Sequence, residues 1–291
     1  MHRSLLLPCS LLVLGLQAQT PGEAELALAL AAYEQGTYDK ARQHADSALA
    51  LNDTLYGAWK LRGDIRQRLQ DLDGALDDYG RAMKLRDDDA RLFVSRGAAR
   101  ITMGNIKGAM KDLDRALELD PDDPDIWYNR ACANYMGQDV DRAMKDAQRA
   151  LKLRPEFPEA LFLSGVVKGE RYREEAGIAE IEEALRLRPD IPGGTMSLAM
   201  LYYETGRYTE AIDLYTRVID SGADGEAEAY YYRGDCHYNL EDKEKACADW
   251  RISDAKGDRD AAFIVRNYCD TDEESIPKKP VRKRKNTVIQ F

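Results

Sequence analysis

One segment of this chain is used repeatedly. AMKDLDRALELDP (Ala109–Pro121) returns as AMKDAQRALKLRP (Ala143–Pro155) and, more loosely, as ALDDYGRAMKLRD (Ala75–Asp87), so the copies start at 75, 109 and 143, 34 residues apart each time. Within one copy Ala109, Leu113, Ala116 and Leu117 fall at i, i+4, i+7 and i+8, one stripe of an α-helix. Lys111, Asp112, Asp114 and Arg115 are expected on its wet side. Pro121 ends the helix, because proline lacks an N–H and disfavours helical geometry in the residue before it. A helix with so narrow an apolar stripe does not hold alone in water. Copies at a fixed step can bury their stripes against one another, so the repeat is the folding unit.

The small residue within each second helix reads Ala41, Ala75, Ala109, Ala143, Gly177, Ala211 and Ala246, and seven residues on comes Ala48, Ala82, Ala116, Ala150, Ala184, Val218 and Ser253. First helices carry a large residue, Trp59, Phe93, Trp127 or Leu161, and four places on a small one in Gly63, Gly97, Ala131, Gly165, Ala199 and Gly234. Short side chains in register let paired helices approach closely. The units then run 22–55, 56–89, 90–123, 124–157, 158–191, 192–226 and 227–260. Ala261–Cys269 is expected as a capping helix over the last stacking face, closing an array of 22–269, and 270–291 as a flexible basic tail.

These columns resemble the tetratricopeptide repeat. Trp127, Ala131, Ala143, Ala147, Ala150 and Pro155 make the best copy, and Phe93, Gly97, Leu113 and Pro121 mark the third. The resemblance covers Gly22 to about Asp260. It is weakest in the first copy, where Glu25 replaces the aromatic, and in the fifth, where Gly177 sits mid-helix. Glycine there costs about 1 kcal/mol against alanine, so a bend or frayed joint is expected. The last unit is similar to the ends of exported bacterial members, which close on Cys-Xaa-Asp-Trp (here Cys247–Trp250) and a terminal Tyr-Cys (Tyr268-Cys269).

The resemblance implies an all-α fold, a right-handed α-α superhelix of about seven helix-turn-helix repeats with a cap. It implies a non-catalytic scaffold without cofactor, binding protein or peptide partners where first helices line the concave side. Carried over residue by residue, the partner-facing positions include Tyr128, Cys132, Tyr135, Met136, Phe162, Val166, Met200, Tyr203, Tyr231 and Tyr238. Aromatic and methionine side chains in a concavity suit apolar anchors of a peptide. The competing reading is that many of them fill gaps between neighbouring first helices. Asn129-Arg130 resembles the middle of a family clamp for a peptide carboxylate, but Val94, Ala98, Leu163 and Val166 stand where its flanking basic or amide groups belong. A second reading of function is a structural subunit of a cell-envelope or secretion assembly.

Compartment is read from the N-terminus and the cysteines. Met1-His2-Arg3 precedes an apolar run from Leu5 to Leu16 and then Gln17-Ala18, the pattern of a secretory signal peptide, 1–18, cleaved after Ala18. The run is too short to span a bilayer, and Pro8 argues against both a buried first helix and a lipoprotein reading of Cys9. An exported protein, periplasmic or extracellular and with the envelope as one place of attachment, can carry disulfides. Cys247 lies on the last second helix and Cys269 on the cap, so a Cys247–Cys269 bond is expected, with two buried thiols as the alternative.

The formal charge is −10, yet Lys278, Lys279, Arg282, Lys283, Arg284 and Lys285 crowd a tail that has no acid from Ile276 on. The body is therefore more acidic than the whole and repels nucleic acid, and the tail is the part that could touch anionic surfaces. No nucleophile, phosphate-loop, dinucleotide or metal motif occurs. His44 is read as a solvated helix residue, His237 as packing or surface, and the acidic runs at 87–89 and 120–125 as turn residues lacking the spacing of a calcium loop.

Overall fold

The computed structural model describes residues 20–276, except 172, 223–224 and 272–274; the expected leader and the basic run of the tail lie outside the described residues. Among the described residues every element is helical, in seven helix-turn-helix pairs followed by a cap. The chain divides into two compact units, one up to Leu92 and one from Phe93, with the division falling inside a helix.

In the first unit, α1 (Pro21–Glu34) pairs with α2 (Tyr38–Leu51), and α3 (Tyr56–Arg68) with α4 (Leu72–Leu85). Thr20 opens α1 with a capping box: its side chain accepts from the Glu23 N–H while Glu23 accepts from the Thr20 N–H. Ala41, Ala45 and Ala75 are fully buried, as short side chains at a close helix crossing must be. Glu25, which stands where later copies carry an aromatic, meets His44 Nδ1 at 2.7 Å, and both side chains are half-buried. His44 is thus a partner across the α1–α2 seam, not the solvated residue expected of it.

The second unit begins within α5 (Ala90–Thr102) and continues with α6 (Ile106–Leu119), α7 (Pro124–Met136), α8 (Val140–Leu153), α9 (Pro158–Glu170) and α10 (Glu174–Leu187). It is completed by α11 (Gly194–Glu204), α12 (Tyr208–Asp220), α13 (Glu226–Asn239), α14 (Lys243–Ala255) and α15 (Arg259–Ile264), the last prolonged by a π-helical turn, Val265–Cys269. Second helices start the same way in different copies: Asp71, Asn105, Asp139 and Asp242 each accept the backbone N–H three residues on. Each of α6, α8, α10 and α12 packs against the first helix that follows it, while α7 touches α9, α9 touches α11 and α11 touches α13. First helices therefore form one row within this unit.

The joint at Gly177 is tight. A Cβ on Gly177 would sit 2.7 Å from the Gly165 carbonyl oxygen, and one on Gly165 would sit 2.8 Å from the Gly177 carbonyl oxygen. Two backbones meet there, so the mid-helix glycine that suggested fraying is what permits the contact between α9 and α10. At the C-terminal end, Trp250, Ile264 and Tyr268 are buried together, and Cys247 is bonded to Cys269 with Cα atoms 5.5 Å apart. Beyond it Ile276, in the stretch expected to be loose tail, is 9 % exposed and packs on the same core.

Candidate partner-binding face

Within four of the helix pairs lies a buried ion pair. Arg62, Arg96, Arg130 and Arg233, each on a first helix, grip a carboxylate sixteen residues on, in the paired second helix. The geometry is bidentate each time: Nε and Nη2 donate at 2.9 and 2.7 Å to Asp78, 2.9 and 2.5 Å to Asp112, 2.9 and 2.8 Å to Asp146, and 2.8 and 2.7 Å to Asp249. The four aspartates are 1–5 % exposed. Such charges persist in a low-dielectric seam only when fully partnered. A second donor comes from one helical turn further: Arg66 to Asp78 at 2.9 Å, Arg100 to Asp112 at 2.6 Å and Asn134 to Asp146 at 2.8 Å. Each arginine also lies over an aromatic ring three residues earlier: Trp59, Phe93, Trp127 and Tyr230, at 4.8, 5.8, 4.7 and 5.2 Å. Burial alone would lower Arg130, but Asp146 and Asp114 outweigh it and hold the guanidinium above its ordinary range.

This frame of ion pairs corrects the sequence reading of Asp112 and agrees with the absence of a carboxylate clamp at Arg130. Asp112, expected on the wet side of its helix, is buried. Arg130, which looked like part of a carboxylate clamp, is fully occupied by Asp146 and by Asp114 at 3.1 Å, and Asn129 donates to the Asp125 carbonyl at 2.8 Å. The signal was present as two columns, arginine at 62, 96 and 130 and aspartate at 78, 112 and 146, each at the repeat step.

The ten residues carried over as partner-facing fall into two sets. Cys132, Tyr135, Phe162, Val166 and Tyr231 are buried, Cys132 and Val166 completely. They belong to the buried core of this unit: Tyr135 donates to Glu170 of the next first helix, α9, at 2.6 Å, and Tyr231 lies edge-on to Tyr232 of its own helix at 5.4 Å. Burial pushes the Cys132 thiol up to about 12. As folded, these five support the row and cannot meet a partner.

Tyr128, Met136, Met200, Tyr203 and Tyr238 retain surface. Met136, at the end of α7, is 44 % exposed and the other four are half-buried. Tyr128 packs on Phe157 at 5.1 Å, and burial, with Cys132 beside it, raises its hydroxyl well above the ordinary tyrosine value. Tyr203 donates to Asp235 of α13 at 3.1 Å, packs on Tyr232 at 5.4 Å, and is raised by burial and by that carboxylate. Met200 Sδ faces the Tyr215 hydroxyl at 3.9 Å. Tyr238 packs on Trp250 and Tyr268 at 5.9 and 5.5 Å. These rings are seated by their flanks and expose an edge, which is a pre-organised way to offer apolar surface.

The remaining polar candidates have structural partners. His237 is half-buried, its Nε2 3.9 Å from Asp249, and burial lowers it below its ordinary value. Asp123 caps α7, and Asp125 is held by Arg154 at 2.9 Å. Among the described residues no group of three or more metal-ligating side chains converges, and no helix is long and apolar enough to cross a membrane.

Comparison with known proteins agrees with this architecture. Tetratricopeptide-repeat models match residues 26–91, 173–226 and 197–250, another repeat model of the same kind matches 97–138, and a further one 124–157. A search of curated protein sequences finds no match. Among solved structures, a tetratricopeptide repeat protein from Parabacteroides merdae is 18 % identical with TM-score 0.59, over 81 % of this chain and 93 % of that one. PilW, a widely conserved type IV pilus biogenesis factor, is 17 % identical with TM-score 0.63, over 70 % of this chain and 94 % of its own. A chain of the APC/C hetero-tetramer Cut9–Hcn1 gives TM-score 0.69 at 17 % identity, over 74 % of this chain and 42 % of that one. At these identities the likeness is one of fold. With repeat matches leaving only short gaps between residues 26 and 250, the chain belongs to the tetratricopeptide-repeat proteins.

Proposed function

We propose that this protein is a non-catalytic, exported scaffold that binds an extended peptide or a protein edge along the first-helix row of its second unit. The observation that carries the reading is a set of partly exposed anchors on three of the four first helices of the row: Tyr128 and Met136 on α7, Met200 and Tyr203 on α11, Tyr238 on α13. Neighbouring rings, and on α7 and α13 a buried ion pair, already hold these helices, so a peptide that docks loses its own freedom while the receptor loses little. Export is supported by the leader pattern at 1–18 and by the Cys247–Cys269 bond, since disulfides persist in oxidising compartments. A second reading, a subunit of an envelope assembly, draws on the likeness to PilW, a pilus biogenesis factor.

The test is selection of random peptides on the full-length protein, with a Met136→Ala/Met200→Ala variant as comparison. Neither methionine is fully buried, so helicity should be unchanged. Selected peptides should bind the variant at least tenfold more weakly. Equal binding to both proteins would remove the face assigned here, and fractionation of the native protein wholly within a large envelope complex would favour the second reading.

A further inference from the structure

A hollow of about 510 Å³ lies between α3 and α4 of the first unit, within the roughly 300–1,000 Å³ that small ligands occupy. Here α4 departs from the pattern of its sister helices. Gly80 stands in the column of Asp46 and Asp114, which reach Arg62 and Arg130 at 2.7 and 3.1 Å, and a Cβ on Gly80 would meet nothing within 4 Å. Lys84 stands in the column of Glu118, which answers Arg115 on α6 at 2.8 Å. On α8 Arg149 is answered by Asp122 at 3.4 Å, but the matching acid here, Asp88, is taken by Arg86 at 2.8 Å. Arg81, in the column of Arg115 and Arg149, therefore has a base three residues on where α6 has an acid. Arg81 and Lys84 are both exposed, and among the described residues neither makes a hydrogen bond or an ion pair.

The rest of the wall is fixed in place. Trp59 donates its indole N–H to the Asp53 carbonyl at 2.7 Å, and Arg62 lies over its ring at 4.8 Å. Arg62 and Arg66 are engaged by Asp78, at 2.7 and 2.9 Å, and Leu76 adds half-buried apolar surface. The remaining lining acid, Asp77, is exposed. The unengaged charge is thus Arg81 and Lys84 against Asp77, a net positive rim beside an aromatic ring. We propose that this hollow binds a peptide through an acidic side chain next to an apolar one, the carboxylate meeting Arg81 and Lys84 and its neighbour resting on Trp59 and Leu76. It does not involve the face assigned on the second unit. A single carboxylate suits it better than a polyanion does. The chain carries a formal charge of −10, which repels nucleic acid and anionic bilayers at long range. A lone carboxylate inside the hollow feels chiefly the charges within about 8–10 Å, the screening length at ordinary salt. Exposed ion pairs are weak, so the expected Kd is about 1 mM.

The experiment titrates the full-length protein with acetyl-Glu-Phe-amide and follows the indole N–H resonances of its 3 tryptophans, that of Trp59 assigned with Trp59→Phe. The Trp59 signal should shift saturably with Kd near ~1 mM, while those of Trp127 and Trp250 stay in place. Acetyl-Gln-Phe-amide, without the charge, and glutarate, without the ring, should each bind about fivefold more weakly. The same loss, about fivefold, is expected for Arg81→Ala/Lys84→Ala and for Gly80→Asp, which restores the acid of α2 and α6. With its Cβ in open space, Gly80→Asp should leave the fold unchanged. Asp77→Asn should act in the opposite direction and tighten binding about threefold. A Trp59 signal that does not saturate, or a Kd unmoved by both the Arg81→Ala/Lys84→Ala and the Gly80→Asp variants, overturns the proposal. Equal binding of acetyl-Gln-Phe-amide overturns the role given to charge, and equal binding of glutarate overturns the assignment to a peptide. Each of these failures leaves the face on the second unit untouched.

Discussion

Asp146 offers a direct measurement of the buried frame. It is 5 % exposed and takes three donors: Arg130 twice, at 2.9 and 2.8 Å, and Asn134 at 2.8 Å. Removing one member of a buried pair costs about 3–5 kcal/mol, because the other is left charged and unmatched. Arg130 keeps 22 % of its side chain in solvent, still has Asp114 at 3.1 Å, and lies over Trp127. Asp146→Leu should therefore cost less, about 2–3 kcal/mol once solvent screening is allowed for. Arg130→Leu strands the more deeply buried partner and should cost about 3–5 kcal/mol. The sixth repeat shows what an uncharged pair looks like, for Leu198 and Leu214, also sixteen apart, occupy these places in the core. The double variant Arg130→Leu/Asp146→Leu should thus lie within about 1–2 kcal/mol of the original, the remaining loss being the Asn134 amide left without its acceptor. The assay is a double-mutant cycle from urea unfolding, read with hydrogen exchange in α7 and α8, because repeat arrays can open locally. The expected coupling is several kcal/mol and favourable. Single losses that simply add in the double variant would refute the claim that the pair is self-contained.

Other consequences are testable with simpler means. Gly177→Ala should destabilise by about 1–2 kcal/mol, overpacking of about 1–3 offset by about 1 of helix propensity, whereas Gly80→Ala, with nothing within 4 Å of its Cβ, should gain about 1; the reverse order in thermal melts would refute the close-approach account. Thiol titration at pH 8 of a chain lacking residues 1–18 should find no fast-reacting cysteine when native and two, Cys132 and Cys236, when denatured without reductant. Replacing both Cys247 and Cys269 by alanine should lower stability by about 3 kcal/mol, from the chain entropy of a loop with sequence separation 22. Tyr202 is raised to about 12 by burial and by its bond to Glu182, so its contribution is complete below pH 10 and disappears between about pH 10 and 12. Tyr202→Phe should flatten that part of the stability profile, and an unchanged slope would count against it.

The repeat was legible because its columns are steric. A small residue at 41, 75, 109, 143, 211 and 246 has one physical use, close helix contact, and all six are fully buried. Asp112 was misread for the opposite reason. A helical stripe judges each residue by its own polarity, whereas the burial of Asp112 depends on Arg96 in another helix, sixteen positions away. The face was half legible on similar grounds. Position within a repeat tells which way a side chain leaves its helix, but it does not tell how closely the next first helix approaches. Tyr135 and Met136 are adjacent in sequence and in direction; the first is closed off under Glu170 and the second stays open.

The fifth repeat shows how the array tolerates leaving its own pattern. Where four of the other repeats place arginine it has Ser164, and where they place aspartate it has Glu180, whose partner is Lys168 at 2.5 Å, one helical turn further along. The charge pair has moved outward to half-buried positions, and the seam it vacated is closed by Gly165 against Gly177 and by Ile181. Around that contact every residue from Ala160 to Val167 is buried. A bidentate arginine needs room for a guanidinium, and a glycine-to-glycine approach removes that room, so the two solutions exclude each other at one seam. The exchange explains why one mid-helix glycine, poor for helix propensity, sits in an otherwise alanine column. It also means that restoring the common pattern here with Ser164→Arg would force α9 and α10 apart, so the most regular-looking substitution in the chain is expected to be among the most damaging.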